Sequence, residues 1–231
     1  MSHFCTATLC TFTPPFPYSK AHAHFALGWA YYYKGFLEEA KGHILTASDF
    51  LQKSNQLAFM AGANLLLGDT YLQKGEYEAS QKFSENAISF WQQCGMGLSR
   101  IIGSKISIAL AKVMNNEKDI NLSEIFQWYR NIKLKRVDRR ASNFIGRILL
   151  NIDDHHISEA EDWIKRAIKT NQKYGMMWNL AQDYALYADL FKRKGDPQRA
   201  RDNMSKAIEI FKECGADGWV ERYEKELALL S

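Results

Sequence analysis

Proline is nearly missing from the body of this chain. Of four prolines in 231 residues, Pro14, Pro15 and Pro17 crowd into the first seventeen positions and only Pro197 follows. Proline removes a helical hydrogen bond and clashes with the preceding turn, so a stretch that avoids it for so long can be helical nearly throughout. Cysteine is equally scarce. Cys5, Cys10, Cys94 and Cys214 form no Cys-x-x-Cys pair, which argues against a zinc site or redox dithiol and for free, mostly buried thiols in a reducing compartment. No apolar run approaches the ~20 residues needed to cross a bilayer, so no membrane partner is expected. The N-terminus lacks the basic start and clean apolar stretch of a secretory signal, and a cytoplasmic protein is expected. The formal charge of +4 neither demands nor excludes an anionic partner.

Catalytic signatures are missing too. There is no G-x-x-x-x-G-K-[ST] to cradle phosphate, no H-E-x-x-H to hold zinc and no G-x-S-x-G elbow. Gly95-Met96-Gly97 opens a helical pattern, but a helix rather than a strand precedes it, so a dinucleotide site lacks its setting. Asp153, Asp154, His155 and His156 form the one cluster of metal-ligand types. Adjacent histidines rarely bind one tetrahedral ion, and a polar turn explains them better. No enzyme, metal or cofactor is expected.

What the chain does contain is a repeat. LGWAYYYKGFLEEAKGHILTA (Leu27 to Ala47) and LGDTYLQKGEYEASQKFSENA (Leu67 to Ala87) match at a shift of forty residues in leucine-glycine, tyrosine, glycine and alanine. A third copy uses Tyr187-Ala188, Phe191, Gly195, Ala200 and Ala207. A fourth uses Ile145-Gly146, Leu149, Ala160 and Ala167, with two extra residues in its turn. Eight residues after the last alanine of each copy stands Asn55, Gly95, Gly175 or Gly215, the residue types that most readily adopt the left-handed conformation ending a helix. A degenerate unit fits between Gly95 and Arg139. Ile101, Ile102, Ile106, Ala109, Leu110 and Val113 make one apolar helical face, and Ile125, Phe126, Tyr129 and Ile132 a second. Each unit therefore reads as helix, turn, helix. Asp196-Pro197 gives an N-cap followed by proline at the first helical position, and Ser158 with Glu161 has capping-box spacing. Gly28, Gly68, Gly146 and Ala188, with Ala47, Ala87, Ala167 and Ala207, supply the small side chains that close helix crossings require.

This pattern resembles the tetratricopeptide repeat family from about Ser19 onward. The resemblance implies an all-α, right-handed α-solenoid superhelix of about five helical hairpins plus a C-terminal capping helix. The expected layout is a non-repeat tail over 1–18 and a repeat domain over 19–231. Its units fall near 19–57, 58–97, 98–137, 138–177 and 178–216, with the capping helix at 217–230. The forty-residue period exceeds the family's usual thirty-four. Longer units look like those in the C-terminal helical regions of large bacterial signalling proteins that carry an ATPase, nucleotide cyclase or transcription-activator module. The stretch from Ala207 to Leu230 is similar to how such regions end.

In that family the first helix of each unit lines a concave wall that binds peptides. The corresponding positions are Phe25, Trp29, Tyr32 and Tyr33, then Leu65, Asp69 and Gln73, then Ser104 and Lys112, then Asn143, Arg147 and Asn151, and finally Asp189 and Arg193. The family's best-known site clamps a terminal carboxylate with Lys and Asn, where Phe25 and Trp29 stand here, so that chaperone-type activity is not expected. An aromatic entrance and a partly basic floor remain, and aromatic and arginine side chains are common interface anchors. Alternatively, Trp29 and Tyr32 pack under the N-terminal tail. The expected function is a protein- or peptide-binding scaffold or adaptor in bacterial signalling. The alternative is a regulatory C-terminal segment of a multidomain ATPase or nucleotide cyclase. The basic run Arg130 to Arg147 raises nucleic-acid binding as a weaker alternative, but no nucleic-acid fold signature accompanies it, and a solvated face is the better account.

Overall fold

The computed structural model describes residues 17–230 apart from 96 and 118, with the backbone alone at 17, 18, 135, 136, 138 and 139. The described residues are all-α, in eleven helices without a strand: α1 (Pro17–Lys34), α2 (Leu37–Lys53), α3 (Leu57–Lys74), α4 (Tyr77–Gln93), α5 (Leu98–Met114), α6 (Leu122–Arg130), α7 (Lys135–Ile152), α8 (Ile157–Lys173), α9 (Met177–Arg193), α10 (Pro197–Glu213) and α11 (Asp217–Ala228). Consecutive helices pack as neighbours along a helical-repeat solenoid. All of the tail expected over 1–18 but its last two residues lies outside the described part, and those two, Pro17 and Tyr18, already belong to α1. Cys5 and Cys10 lie outside it as well, and of the other two Cys94 is half-buried and Cys214 exposed, so neither is the buried thiol expected.

Backbone conformation explains where the helices stop. Asn55, Gly95, Gly175 and Gly215 all have positive φ, between 50° and 63°, and the amide after the first of them bonds five residues back, Gln56 to the Leu51 carbonyl at 3.1 Å. Inside the hairpins the same bond closes the turn at Gly35, where the Phe36 N–H reaches the Tyr31 carbonyl at 3.0 Å. This six-residue closure satisfies carbonyls that the helix end would otherwise strand. At the other end, Asp196 caps α10 by accepting the Arg199 N–H at 3.0 Å, with Pro197 at the first helical position. The capping box expected from Ser158 and Glu161 does not form. Helix α8 starts at Ile157 with His156 in the N-cap position, two residues before Ser158, and the inserted turn, a single 3-10 turn at Asp154–His156, is capped by Asp153 accepting the His155 N–H at 2.8 Å. Glu161 pairs instead with Lys165 and Lys194 and accepts from the Tyr187 hydroxyl, which holds its carboxyl down at about 2.

Small residues sit where helices cross. A Cβ on Gly28 would come within 2.5 Å of Ile44, one on Gly68 within 2.7 Å of Ser84 and one on Gly146 within 2.9 Å of Ile164. Ala47, Ala87, Ala167 and Ala207 have no exposed surface. The third hairpin departs from this pattern. Helix α6 has 9 residues where the other second helices have 17, so it barely engages its neighbours, and α7 packs directly along α5. The turn between α6 and α7 is tied down by Ser99, which accepts the Lys133 N–H at 2.9 Å.

The two ends of the array meet. Expected as an end cap, α11 packs on α10 and also on α1. The Trp219 indole donates to the Tyr32 carbonyl at 3.1 Å, Trp178 to the Tyr33 carbonyl at 2.9 Å, and Arg222 to the Gln73 carbonyl at 2.9 Å. Leu37 and Trp178 pack against the apolar clusters of both the first and the last hairpin. Gly35 and Gly218 make the close approach: a Cβ on Gly218 would stand 2.7 Å from the Gly35 carbonyl carbon. Five hairpins therefore bring the solenoid back onto itself.

Candidate functional site on the inner wall

The first helices of four hairpins surround a cavity of about 790 Å³. Phe25, Trp29 and Tyr33 come from α1 and Phe59, Gly62 and Leu65 from α3; Gly103 and Ser104 come from α5, and Val137, Arg140 and Phe144 from α7. Aromatic side chains dominate one side. Phe25 meets Trp29 and Phe59 edge-on at 6.3 and 5.8 Å, and Trp29 stacks on Tyr33 at 5.6 Å. A cavity of this size, mostly apolar with a few polar groups, has the make-up of a ligand site. Gly62 and Gly103 keep it open, since a Cβ at either would press on Phe25 or Val137.

Beneath it lies a charged crosspiece. Arg140 of α7 reaches across to the Asp69 carboxylate of α3 and donates to the Ser107 hydroxyl of α5 at 2.8 Å, while its guanidinium lies 4.7 Å from the Phe144 ring. Asp69 is buried, so this pair locks three units together where its removal would strand a charge. A second link joins the fourth and fifth hairpins: Asn143 and Asn171 donate to opposite oxygens of Asp183 at 2.7 and 2.6 Å. Burial nonetheless pushes the Asp183 carboxyl up to about 7, because two neutral donors offset desolvation only in part.

Farther along, Arg147 and Asn151 of α7 and Asp189 and Arg193 of α9 line a second cavity of about 330 Å³. Asp189 keeps contact with solvent, but the surrounding helices desolvate its carboxyl enough to push it up to about 6, against the pull of Arg147. Arg193 is held by the Leu150 carbonyl and by Asn151 at 3.4 Å.

The wall positions expected from the sequence thus separate into groups. Phe25, Trp29, Tyr33, Leu65 and Ser104 face the apolar cavity, and Arg147, Asn151, Asp189 and Arg193 the polar one. Tyr32 is buried in the closing contact between Trp29, Trp178 and Trp219, which pushes its phenol up. Asp69 and Asn143 are taken up by links between units, and Gln73 lines neither cavity, its backbone carbonyl accepting from Arg222. Lys112 is half-buried and lines neither cavity. Phe59, Val137, Arg140 and Phe144 were not expected. Of these, Arg140 and Phe144 carried a signal, a basic and an aromatic residue one helical turn apart.

The basic run from Arg130 to Arg147 is not one surface. Arg140 and Arg147 face the interior, whereas Arg130 and Lys133 line a groove on the outside. The side chains of Lys135, Arg136, Asp138 and Arg139 lie outside the described part. At the inserted turn, Asp153 accepts from His156 Nδ1 at 2.7 Å. No three His, Cys, Asp or Glu side chains among the described residues gather as a metal ion would require. No helix there is long and apolar enough to cross a membrane.

Closed stacking of helical hairpins around a lined interior defines the class, an all-α helical-repeat protein. A tetratricopeptide repeat family model matches residues 61–90, the stretch from mid-α3 through most of α4, and with the repeat architecture this match supports a tetratricopeptide-type interaction scaffold. No curated protein matches the chain.

Proposed function

We propose that the protein is a scaffold that captures a peptide segment of a protein partner on its inner wall. The apolar cavity shared by α1, α3, α5 and α7 is the observation that supports this reading. Its aromatic side chains are already held by one another, so a bound segment gains burial without the cost of ordering its receptor. A peptide with one or two large apolar side chains fits best.

Similarity of Ala207–Leu230 to the ends of bacterial signalling proteins supports a cytoplasmic signalling setting. The alternative, a regulatory segment of a multidomain ATPase or nucleotide cyclase, rests on the same stretch. An upstream reading frame encoding such a module would favour it. Nucleic-acid binding through the 130–147 run is disfavoured by the division of that run between interior and exterior.

Peptides selected from a random displayed library against the protein test the site. They should be rich in aromatic and aliphatic residues and lose binding to Leu65→Arg, which places a charge in the cavity. Equal binding to a folded Leu65→Arg variant would refute the inner-wall site.

A further inference from the structure

A second recognition site lies on the outside, where the third hairpin is incomplete. Because α6 is only 9 residues long, it leaves a groove of about 660 Å³ against α8, lined by Phe126, Tyr129, Ile132 and Trp163 and rimmed by Arg130, Lys133 and Arg166, with Glu159 the one acid. The floor is rigid. Phe126 stacks parallel on Trp163 at 5.9 Å, Tyr129 meets Trp163 edge-on at 4.7 Å, and the Tyr129 hydroxyl bonds to Ser142 at 3.1 Å.

The cations are poised differently from those elsewhere. Neighbouring Lys165 is paired with Glu161, but none of Arg130, Lys133 and Arg166 has a carboxylate within ion-pair distance among the described residues. Arg166 is also pre-positioned: its guanidinium carbon lies 5.1 Å from the Tyr129 ring centre and 5.5 Å from that of Trp163. A guanidinium held against aromatic rings keeps N–H groups free for a carboxylate, and less rotamer freedom is lost on binding. Lys133 is anchored through its backbone to Ser99.

We infer that this groove docks an acidic peptide segment of a protein partner, its carboxylates on Arg130, Lys133 and Arg166 and one apolar side chain over Phe126 and Trp163. Charge complementarity commits the occupant. A free phosphate would use the cations but gain nothing from the aromatic floor, and the competing oligonucleotide in the test below separates a nucleic acid from the peptide. The site is separate from the inner wall and does not depend on it.

Fluorescence anisotropy with two labelled octapeptides, EELEEFEE and its serine counterpart EESEESEE, and a single-stranded oligonucleotide as competitor tests this. The first peptide should bind about tenfold more tightly than the second, as burial of the added apolar side chains requires. Binding should weaken about tenfold in Lys133→Gln/Arg166→Gln, the loss expected for two charge-assisted contacts. Arg166→Lys keeps the charge without the flat stacking surface and should fall between. Leu65→Arg should bind like the wild type, which separates this site from the inner wall. Equal binding of the two peptides, unchanged binding by a double variant with native circular dichroism, or tighter binding of the oligonucleotide would each overturn the proposal.

Discussion

Asp69 and Asp183 are both buried carboxylates, but their surroundings compensate them differently. Asp69 has a full cation in Arg140, and Asp183 has only two amide donors. Removing the cation should therefore be expensive. Arg140→Ala is expected to cost about 3 kcal/mol in urea denaturation, since it leaves a buried charge unpaired. Adding Asp69→Asn to that variant should recover part of the loss, a coupling that a double-mutant cycle measures. Asp183 predicts a pH effect of definite sign. Its folded value of about 7 stands above the ordinary 3.8, so the native state binds a proton more tightly than the unfolded chain. Its stabilising contribution is complete below about pH 4 and is lost as pH rises toward 7. Urea midpoints taken between pH 4.5 and 8 should show that decline in the wild type and a flatter course in Asp183→Asn. Neither carboxylate could be ranked from sequence. Asp69 was recognisable as a wall position, but its partner lies 71 residues away with nothing in the spacing to connect them.

Element by element, the repeat determines what may stand at each crossing. Ala207 has no exposed surface and lies in the cluster of Phe211, Met204 and Trp219. Ala207→Leu should overpack that crossing and cost roughly 1–3 kcal/mol, read as a lowered melting temperature. These sites were legible because small residues recur at a constant interval and the helix ends agree with them. The third hairpin was legible only in part. Its two apolar faces were apparent, but α6 ends at Arg130, so Ile132 falls in the turn rather than on a second full-length helix. With α6 so short, α7 settles directly on α5, and Gly103 accommodates Val137 at the contact. The inner face of α7 is accordingly Val137, Arg140 and Phe144 as well as Arg147 and Asn151.

For the molecule as a whole, closure is the governing feature. Three hydrogen bonds and the Trp178–Trp219–Tyr32 cluster join the last hairpin and α11 to the first two hairpins, and the backbones approach through Gly35 and Gly218. Gly218→Ala would press a methyl group into the Gly35 and Lys34 backbone. Backbone has little freedom to yield, so the ends should part: a larger radius of gyration in small-angle scattering is expected, with redder tryptophan emission as Trp178 and Trp219 meet water. A protein whose variant kept the wild-type dimensions and emission would not depend on this contact.

The sequence by itself determined the helical class, the hairpin period, the helix-ending residues and the aromatic character of the first wall helix. All of these are local or periodic, set by backbone sterics and by which side chains a crossing admits. Tertiary structure alone decided that the array closes, that Tyr32 is consumed by the closure while Trp29 still faces a cavity, and that one basic run serves two surfaces. Those outcomes depend on the summed rotation of successive hairpins and on contacts between residues as far apart as Tyr32 and Trp219, and no spacing along the chain encodes where such a sum will bring its two ends.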